Sequence, residues 1–196
     1  MRIIFGAGGS GGHIVPAIAI AQKMRQDGAL VRFIGNKGSM EERLCKEAGF
    51  ELLYINVQKL YRKITFAHFK FPFLLVYSVI KAMQYTRDFS ASAVFCTGGF
   101  VSGPVAIAAV LLKKPLFFHE SNSYPGLTTR LLSRYTEKVF TAFESTANYL
   151  SKGKTLTVGI PVKRDIFQKT TFSPESFGFQ PQTPKLLIVG GSQGSV

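Results

Sequence analysis

The residues of this sequence best suited to bind a ligand lie in a glycine-rich loop, Gly8-Gly9-Ser10-Gly11-Gly12-His13. The loop joins a short apolar segment to a sequence with helical periodicity, and its glycines let the backbone turn tightly and approach a ligand. A helix that begins there presents unpaired N–H groups and a partial positive charge, and both favour a phosphate. Ser10 adds a hydroxyl, so the loop predicts a phosphate-binding site.

His13 stands at the junction of this loop and the predicted helix. An imidazole at this position can accept a proton from a hydroxyl group, which is general-base chemistry. The alternative is that His13 only caps the turn. We therefore predict that the loop is a place of chemistry as well as of binding.

Other phosphate-binding patterns fit the sequence less well. Gly6, Gly8 and Gly11 match G-x-G-x-x-G, the dinucleotide pattern, which also expects an acidic residue at the end of the second strand. That strand ends in the sequence 35–37, Gly-Asn-Lys, where Lys37 could suit a phosphorylated ribose. The sequence contains neither the G-x-x-x-x-G-K-[ST] pattern nor an Asp-x-Asp pair. We therefore expect a diphosphate site without a metal or another cofactor, and a dinucleotide-dependent oxidoreductase is the alternative.

Two further polar loops follow predicted strands. Residues 97–104 read Thr-Gly-Gly-Phe-Val-Ser-Gly-Pro, and residues 119–126 read His-Glu-Ser-Asn-Ser-Tyr-Pro-Gly. The carboxyl ends of parallel strands meet at one edge of a sheet, where ligands of open α/β sheets bind. The polar groups His119, Glu120 and Asn122 are therefore candidate site residues, although they could also serve only to hold the loops together.

The charge balance favours an anionic partner. Lys and Arg number 24 against 11 Asp and Glu, a formal net charge of +13, and 46% of the residues are hydrophobic. A globular protein of this charge suits nucleic acid, an acidic membrane surface or phosphorylated substrates. The two cysteines, Cys45 and Cys96, are too few for a disulfide framework and are expected to be reduced and buried.

An apolar segment, residues 71–80, lies between the cations Arg62 and Lys63 on one side and Lys81 and Arg87 on the other. A membrane-spanning helix needs about 20 apolar residues, so this segment is too short to cross a bilayer. It could instead insert at a membrane surface that attracts the flanking cations. The alternative is a core helix with solvated ends.

Apolar runs alternate with helical patterns along the chain, which predicts an α/β fold with a Rossmann-like parallel sheet and helices on both faces. The predicted strands are 2–5, 30–34, 51–55, 93–96, 116–118, 138–141 and 155–158. The predicted helices are 14–26, 40–48, 66–87, 103–112, 126–133 and 145–151. We expect residues 1–162 to form one domain and the Gln-, Ser- and Pro-rich residues 163–184 to form a linker. Residues 185–196 then read as the first strand and glycine-rich loop of a truncated second domain.

Five motifs in order resemble the MurG family of GT-B glycosyltransferases over the whole chain. They are Gly8-Gly9-Ser10-Gly11-Gly12-His13, Gly98-Gly99-Phe100-Val101-Ser102-Gly103-Pro104, His119-Glu120-Ser121-Asn122, Gly159-Ile160-Pro161-Val162 and Gly190-Gly191-Ser192-Gln193-Gly194. The resemblance implies the N-terminal, acceptor-side half of a GT-B fold. It also implies an inverting, metal-independent transfer of N-acetylglucosamine from UDP-N-acetylglucosamine to the muramoyl 4-hydroxyl of lipid I, which forms lipid II in peptidoglycan synthesis.

The resemblance also implies roles for residues. His13 would be the general base, and Ser10, Gly11, Gly12, Asn122 and Ser192 would contact the nucleotide sugar. Lys163, with Arg164 adjacent, stands where the family has an arginine, Ser10 replaces a threonine, Ser121 a glutamine and Thr129 an asparagine. Further contacts with the acceptor or between loops are expected from Gly98, Gly99, His119, Glu120, Arg164 and Gln193.

The expected partners are UDP-N-acetylglucosamine, lipid I and an anionic membrane surface, and no nucleic acid. The resemblance places the protein peripherally on the cytoplasmic face of the bacterial inner membrane. The chain alone is expected to be inactive because half of the cleft is missing. Besides the oxidoreductase, a non-catalytic membrane-surface binding module is an alternative function.

Overall fold

The computed structural model describes residues 1–58, 67–162, 173–180 and 182–186. Within them, the apolar runs form one sheet of seven strands: β1 (Arg2–Gly6), β2 (Leu30–Asn36), β3 (Glu51–Ile55), β4 (Ala93–Cys96), β5 (Leu116–Glu120), β6 (Lys138–Thr141) and β7 (Thr155–Thr157). The spatial order is β3-β2-β1-β4-β5-β6-β7, and every neighbouring pair is parallel. The predicted Rossmann-like sheet is therefore confirmed.

Helices cover both faces of this sheet. They are α1 (Gly11–Gln26), α2 (Met40–Glu47), α3 (Ala67–Asp88), α4 (Ser102–Leu111) and α5 (Leu127–Leu132). Successive strand residues point to opposite faces, so β1 contributes to two cores. Ile3 and Phe5 pack in one core with Ile14 of α1, whereas Ile4 packs in the other with Val105 of α4. Burial on both faces explains why the strands are apolar throughout.

The strand order creates a crevice beside β1. The chain passes from β1 to β2 on one side and from β3 back to β4 on the other. Connections that leave neighbouring strands in opposite directions open a gap at the carboxyl ends of those strands, here β1 and β4. The first loop (residues 7–13) and the second loop (residues 97–101) meet at this gap. The third loop (residues 121–126) follows β5, the next strand along the same edge.

Some predicted element boundaries at the site were wrong: α1 begins at Gly11 and not at residue 14, and β2 extends to Asn36. The fifth strand is longer than predicted, because His119 and Glu120 continue the pairing with Phe140 and Thr141 of β6. These two polar residues therefore belong to a buried strand end and not to the loop that follows it. Their side chains are held by specific partners, described below, which makes their burial tolerable.

The predicted helix 145–151 is a 3-10 helix, Glu144–Tyr149. Its bonds span three residues, as in the 3.3 Å bond from the Thr146 N–H to the Phe143 carbonyl. The Thr146 hydroxyl is also bonded outside the segment, to the Asn122 carbonyl at 3.0 Å. A contact with the third loop thus replaces a regular helical turn.

The described residues beyond 162 contain one 3-10 turn, Pro174–Phe177, inside the predicted linker. Of the predicted strand 185–189, residues 187–189 lie outside the described part of the chain, and Lys185 and Leu186 are not in a strand. The boundaries of the linker and of a second domain remain predictions. Among the helices that the structure describes, none is long and apolar enough to span a bilayer.

Cys45 and Cys96 are free and buried, as predicted. Burial raises the pKa of both thiols to about 12. Both therefore remain protonated at neutral pH, and neither is suited to act as a nucleophile.

Candidate functional site

His13 is fixed in one orientation by the second loop. Its Nδ1 lies 2.9 Å from the carbonyl oxygen of Thr97. A carbonyl can only accept, so Nδ1 carries the hydrogen and Nε2 keeps the lone pair of the neutral ring. In return, the Thr97 hydroxyl donates to the His13 carbonyl at 2.8 Å. The ring is therefore held with a potential proton acceptor, Nε2, on the side away from Thr97.

The second loop approaches His13 so closely that only glycines fit. Gly98 and Gly99 have φ values of +96° and +79°, in the left-handed region that glycine favours. A Cβ at residue 98 would lie 2.9 Å from His13 Nδ1, and one at residue 99 would lie 1.9 Å from the Gly8 carbonyl oxygen. The expected role of these glycines as loop contacts fits this geometry, since they let the second loop pack against His13 and the first loop.

Ser102, at the start of α4, joins the end of β1 to the second loop. Its buried hydroxyl lies 2.7 Å from the carbonyl oxygens of both Gly6 and Gly98, and it accepts a 3.0 Å bond from the Gly98 N–H. The end of β1 and the second loop are thereby held together. Sequence reasoning gave no site role to this serine.

The first turn of α1 leaves donors available to a ligand. Ser10 is the N-cap residue, but its side chain makes no capping hydrogen bond. The N–H groups of Gly11 and Gly12 precede the first intrahelical bonds, which run from His13 and Ile14 to the Ser10 carbonyl. Gly12 is exposed and Gly11 is partly exposed. The Ser10 hydroxyl and these two N–H groups can thus bind an anion at the positive end of the helix dipole.

Glu41 is a buried carboxylate beneath the first loop that sequence reasoning missed. It lies in the first turn of α2, and its oxygens accept from the N–H groups of Gly9, at 3.5 Å, and Asn36, at 3.3 Å. A Cβ added at Gly8 would lie 2.7 Å from Glu41 Oε1, and one at Gly35 would lie 2.8 Å from its Cγ. Glu41 therefore fills the space between the first loop and the end of β2.

The position of Glu41 argues against the alternative function, a dinucleotide-dependent oxidoreductase. Dinucleotide-binding folds place a ribose between the glycine loop and the end of the second strand. In this chain that space holds a buried side chain whose carboxylate faces backbone N–H groups. No acid ends β2, as the sequence indicated, and the nearby acid from α2 is buried and not free to bind a ribose.

At the end of β5, His119 is buried and turned away from the first loop. Its Nε2 donates to the Gly159 carbonyl at 2.9 Å, and its Nδ1 lies 3.3 Å from the Ser121 hydroxyl. Burial lowers the pKa of His119, while the bond to Gly159 and the charge of Glu120 act in the opposite direction. His119 thus joins β5 to the segment after β7, which fits a role in holding loops.

Glu120, the last residue of β5, organises the third loop. Its carboxylate is buried and accepts four hydrogen bonds, from the backbone and side chain of Asn122, from Gly126 and from Thr129. Asn122 itself is exposed. The structure therefore places the candidate site residue Glu120 inside the protein and the candidate Asn122 at the surface, at the edge of the sheet.

The structure brings the first and second loops into direct contact around His13. The third loop lies at the same edge, and the described residues show no hydrogen bond between it and His13. The predicted contacts Lys163, Arg164, Ser192 and Gln193 lie outside the described residues. Within the described ranges, no group of three or more His, Cys, Asp or Glu side chains is arranged to hold a metal ion.

Comparison with known proteins agrees with this geometry. The N-terminal domain of glycosyltransferase family 28 matches residues 3–141. A protein of Caldanaerobacter subterraneus subsp. tengcongensis, named UDP-N-acetylglucosamine--N-acetylmuramyl-(pentapeptide) pyrophosphoryl-undecaprenol N-acetylglucosamine transferase, is 38% identical over 100% of this chain and 55% of its own length. The chain thus spans about half the length of the curated relatives it matches.

Solved structures show the same fold. The crystal structure of Acinetobacter baumannii MurG matches with a TM-score of 0.70 at 29% identity, over 85% of this chain and 47% of that one. A UDP-GlcNAc 2-epimerase from Neisseria meningitidis matches with a TM-score of 0.63 at 14% identity, over 82% of this chain and 47% of that one. The second match shows the fold alone, whereas the first, with the curated relatives, confirms the resemblance to MurG. The chain belongs to glycosyltransferase family 28, whose N-terminal domain it contains.

Proposed function

We propose that this chain is the acceptor-side half of a transferase that moves N-acetylglucosamine from UDP-N-acetylglucosamine to lipid I and forms lipid II. The names of the curated relatives specify this donor and this acceptor. Membership of a glycosyltransferase family favours transfer over both alternatives, the dinucleotide-dependent oxidoreductase and the non-catalytic membrane module. Because the chain spans 55% of those relatives, the second half of the protein would supply the other wall of the cleft.

The observation that carries the proposal is the orientation of His13. With Nδ1 bonded to the Thr97 carbonyl, Nε2 is the atom that can take a proton. In the proposed step the muramoyl 4-hydroxyl oxygen attacks the anomeric carbon of the donor sugar, and its proton passes to Nε2. The bond from that carbon to the UDP oxygen breaks, and its electron pair leaves with UDP. Attack opposite the leaving group inverts the anomeric centre. A general base typically accelerates such a step by about 10²–10⁴-fold.

The first turn of α1 would stabilise the negative charge of a diphosphate. Preorganised N–H groups of Gly11 and Gly12, the Ser10 hydroxyl and the helix dipole are suited to this role, without a metal in the proposed mechanism. Asn122 would contact the nucleotide sugar from the third loop. Lys163, with Arg164 beside it, and Ser192 complete the proposed contacts, and Gln193 is a further candidate.

The membrane surface is the third proposed partner, and α3 supplies the support for it. Phe73, Val76, Tyr77 and Ile80 form an apolar stripe with i, i+3, i+4, i+7 spacing, and each is between 51% and 79% exposed. We call these four residues the α3 stripe. The opposite side of α3, including Val79, is buried, so the helix belongs partly to the core.

The direction of α3 favours docking near the site. The helix leads into the amino-terminal end of β4, so it begins near the carboxyl edge of the sheet, where the three loops lie. The stripe starts in its second turn, at Phe73. A net charge of +13 would attract an anionic leaflet while the stripe inserts into it. We therefore propose peripheral docking on the cytoplasmic face of the bacterial inner membrane, where the protein would meet the lipid-borne acceptor.

Substitution of His13 in the full-length protein tests the proposed chemistry. His13→Asn keeps a side-chain N–H for the Thr97 carbonyl but lacks the Nε2 base, whereas His13→Ala lacks both. We expect both variants to transfer N-acetylglucosamine about 10²–10⁴-fold more slowly, because general-base assistance is lost. We expect only His13→Ala to lose stability, by about 1 kcal/mol, the usual contribution of one hydrogen bond. Near-normal transfer by a folded His13→Asn protein would remove His13 from the chemistry.

A further inference from the structure

Glu120 is the most completely bonded buried acid of the site. Oε1 accepts from the Asn122 N–H at 3.1 Å and from Asn122 Nδ2 at 2.7 Å. Oε2 accepts from the Gly126 N–H at 3.0 Å and lies 2.9 Å from the Thr129 hydroxyl. Each oxygen therefore faces a backbone N–H, which can only donate. Glu120 must act as an acceptor on both sides, so the Asn122 amide can face it only with its nitrogen.

Asn122 is held at three of its four hydrogen-bonding groups. Its backbone N–H and its Nδ2 bond to Glu120, and its carbonyl accepts a 3.0 Å bond from the Thr146 hydroxyl. The remaining group is the side-chain oxygen Oδ1, to which no described residue donates a hydrogen bond. Asn122 is exposed, so Oδ1 is open to a ligand at the sheet edge.

We propose that Glu120 is a positioning residue that fixes the Asn122 amide with Nδ2 toward the protein and Oδ1 toward the ligand. Oδ1 is an acceptor, so it pairs with a donor group of the ligand, a hydroxyl or amide N–H of the sugar nucleotide, and not with a phosphate oxygen. This gives the third loop a different task from the first loop, whose N–H groups suit the diphosphate. The inference rests on the proposed function, because it takes Asn122 to contact the nucleotide sugar.

A substitution at Thr129 can test the two oxygens of the Glu120 carboxylate separately. It is buried and interacts with Oε2 only, so Thr129→Val removes a bond of Glu120 without touching the bonds to Asn122. This variant is the control for a merely structural role of the network. Asn122→Asp is the test variant, because it places a second carboxylate against Oε1. Asn122 is exposed, so we expect this variant to fold.

In Asn122→Asp the two carboxylates repel each other until one proton is shared between them, and that proton can replace the lost Nδ2–H. The first measurement uses the ligand-free chain and its unfolding midpoint. We expect the loss of stability relative to wild type to grow as the pH rises from about 5 to 8. His119 also interacts with Glu120, but it is present in both proteins and its effect cancels in the comparison.

The second measurement uses the full-length protein and its KM for UDP-N-acetylglucosamine. At pH 8 we expect KM to rise about threefold to tenfold in Asn122→Asp, the loss typical of one hydrogen bond between neutral groups. The ratio to wild type should fall toward one as the pH is lowered to 6, because the shared proton restores the orientation of Oδ1. Asn122→Leu should show a raised KM at every pH, and Thr129→Val should lose stability with an unchanged KM.

These outcomes separate the inference from the proposed function. If Asn122→Asp shows no pH-dependent loss of stability, Glu120 does not position Asn122. If that loss is present but the KM of Asn122→Asp is raised equally at pH 6 and 8, Oδ1 is not the ligand contact, and the proposal is overturned. If wild-type protein transfers no sugar from UDP-N-acetylglucosamine, the proposed function fails, while the stability measurement still tests the positioning role.

Discussion

Gly99→Ala should inactivate the protein through the first loop, although Gly99 itself carries no reacting group. A Cβ at this position would lie 1.9 Å from the Gly8 carbonyl oxygen, whereas real Cβ contacts essentially never fall below 3.0 Å. The two loops must therefore separate by at least 1.1 Å (3.0 minus 1.9). A displacement of about 1 Å in a catalytic group can lower the rate by about 10²-fold. The φ of +79° adds about 1–2 kcal/mol for any residue with a Cβ.

The matched control is Gly28→Ala, at the turn between α1 and β2. Gly28 has a φ of +85°, but a Cβ there would meet nothing within 4 Å. Gly28→Ala therefore has the same unfavourable backbone conformation as Gly99→Ala but no steric clash. We expect Gly28→Ala to lower the unfolding midpoint by a few degrees and to keep normal transfer, whereas Gly99→Ala should lose at least about 100-fold in kcat/KM in the full-length protein. If Gly99→Ala melts and transfers like Gly28→Ala, the close packing of the loops around His13 has no functional role.

Three further predictions concern the first loop, the membrane surface and pH. An N-cap serine normally contributes about 1 kcal/mol to stability, but Ser10 makes no capping bond. Ser10→Ala should therefore leave the melting temperature nearly unchanged. Its KM for UDP-N-acetylglucosamine should rise several-fold, because a ligand contact is lost. The Phe73→Ser/Ile80→Ser protein should bind anionic vesicles about tenfold or more weakly in a sedimentation assay, because apolar insertion is lost. Leu30 at the start of β2 is also exposed but lies outside the α3 stripe, so Leu30→Ser should bind normally. Burial lowers the pKa of His119 below its ordinary 6.5. The stability contributed by the neutral ring is therefore present above pH 6.5 and lost as the pH falls. In urea unfolding, the difference in the free energy of unfolding between pH 7.5 and 5.5 should be smaller in His119→Gln than in wild type.

Much of the fold could be predicted from sequence because it depends on local patterns. All seven strands of the sheet were expected from short apolar runs, and α1 to α5 from helical periodicity and glycine or proline punctuation. The error at His119 and Glu120 has a clear cause. Polar residues usually end a buried strand, and the hydrogen bonds that allow these two to continue it come from residues 121–129 and 159.

Only the motif residues of the candidate site were predictable from the sequence, and their partners in space were not. The glycines and His13 were evident, but the partner that orients the ring is the backbone carbonyl of Thr97, 84 residues away, and a carbonyl has no sequence signal. In the sequence, Glu41 is one of two acidic residues at the start of a predicted helix, where acids are common. Its burial beneath the first loop depends on the packing of α2 against the sheet, which periodicity alone cannot specify.

The reaction itself provides the most direct test of the proposed transfer to lipid I. Full-length protein would be incubated with labelled UDP-N-acetylglucosamine and lipid I in anionic vesicles, and lipid II and UDP would be measured together. We expect one UDP to be released for each labelled lipid II formed, with the new linkage of opposite anomeric configuration to the donor. Consumption of UDP-N-acetylglucosamine without lipid II, or no reaction with a folded, vesicle-bound protein, would refute the proposed function.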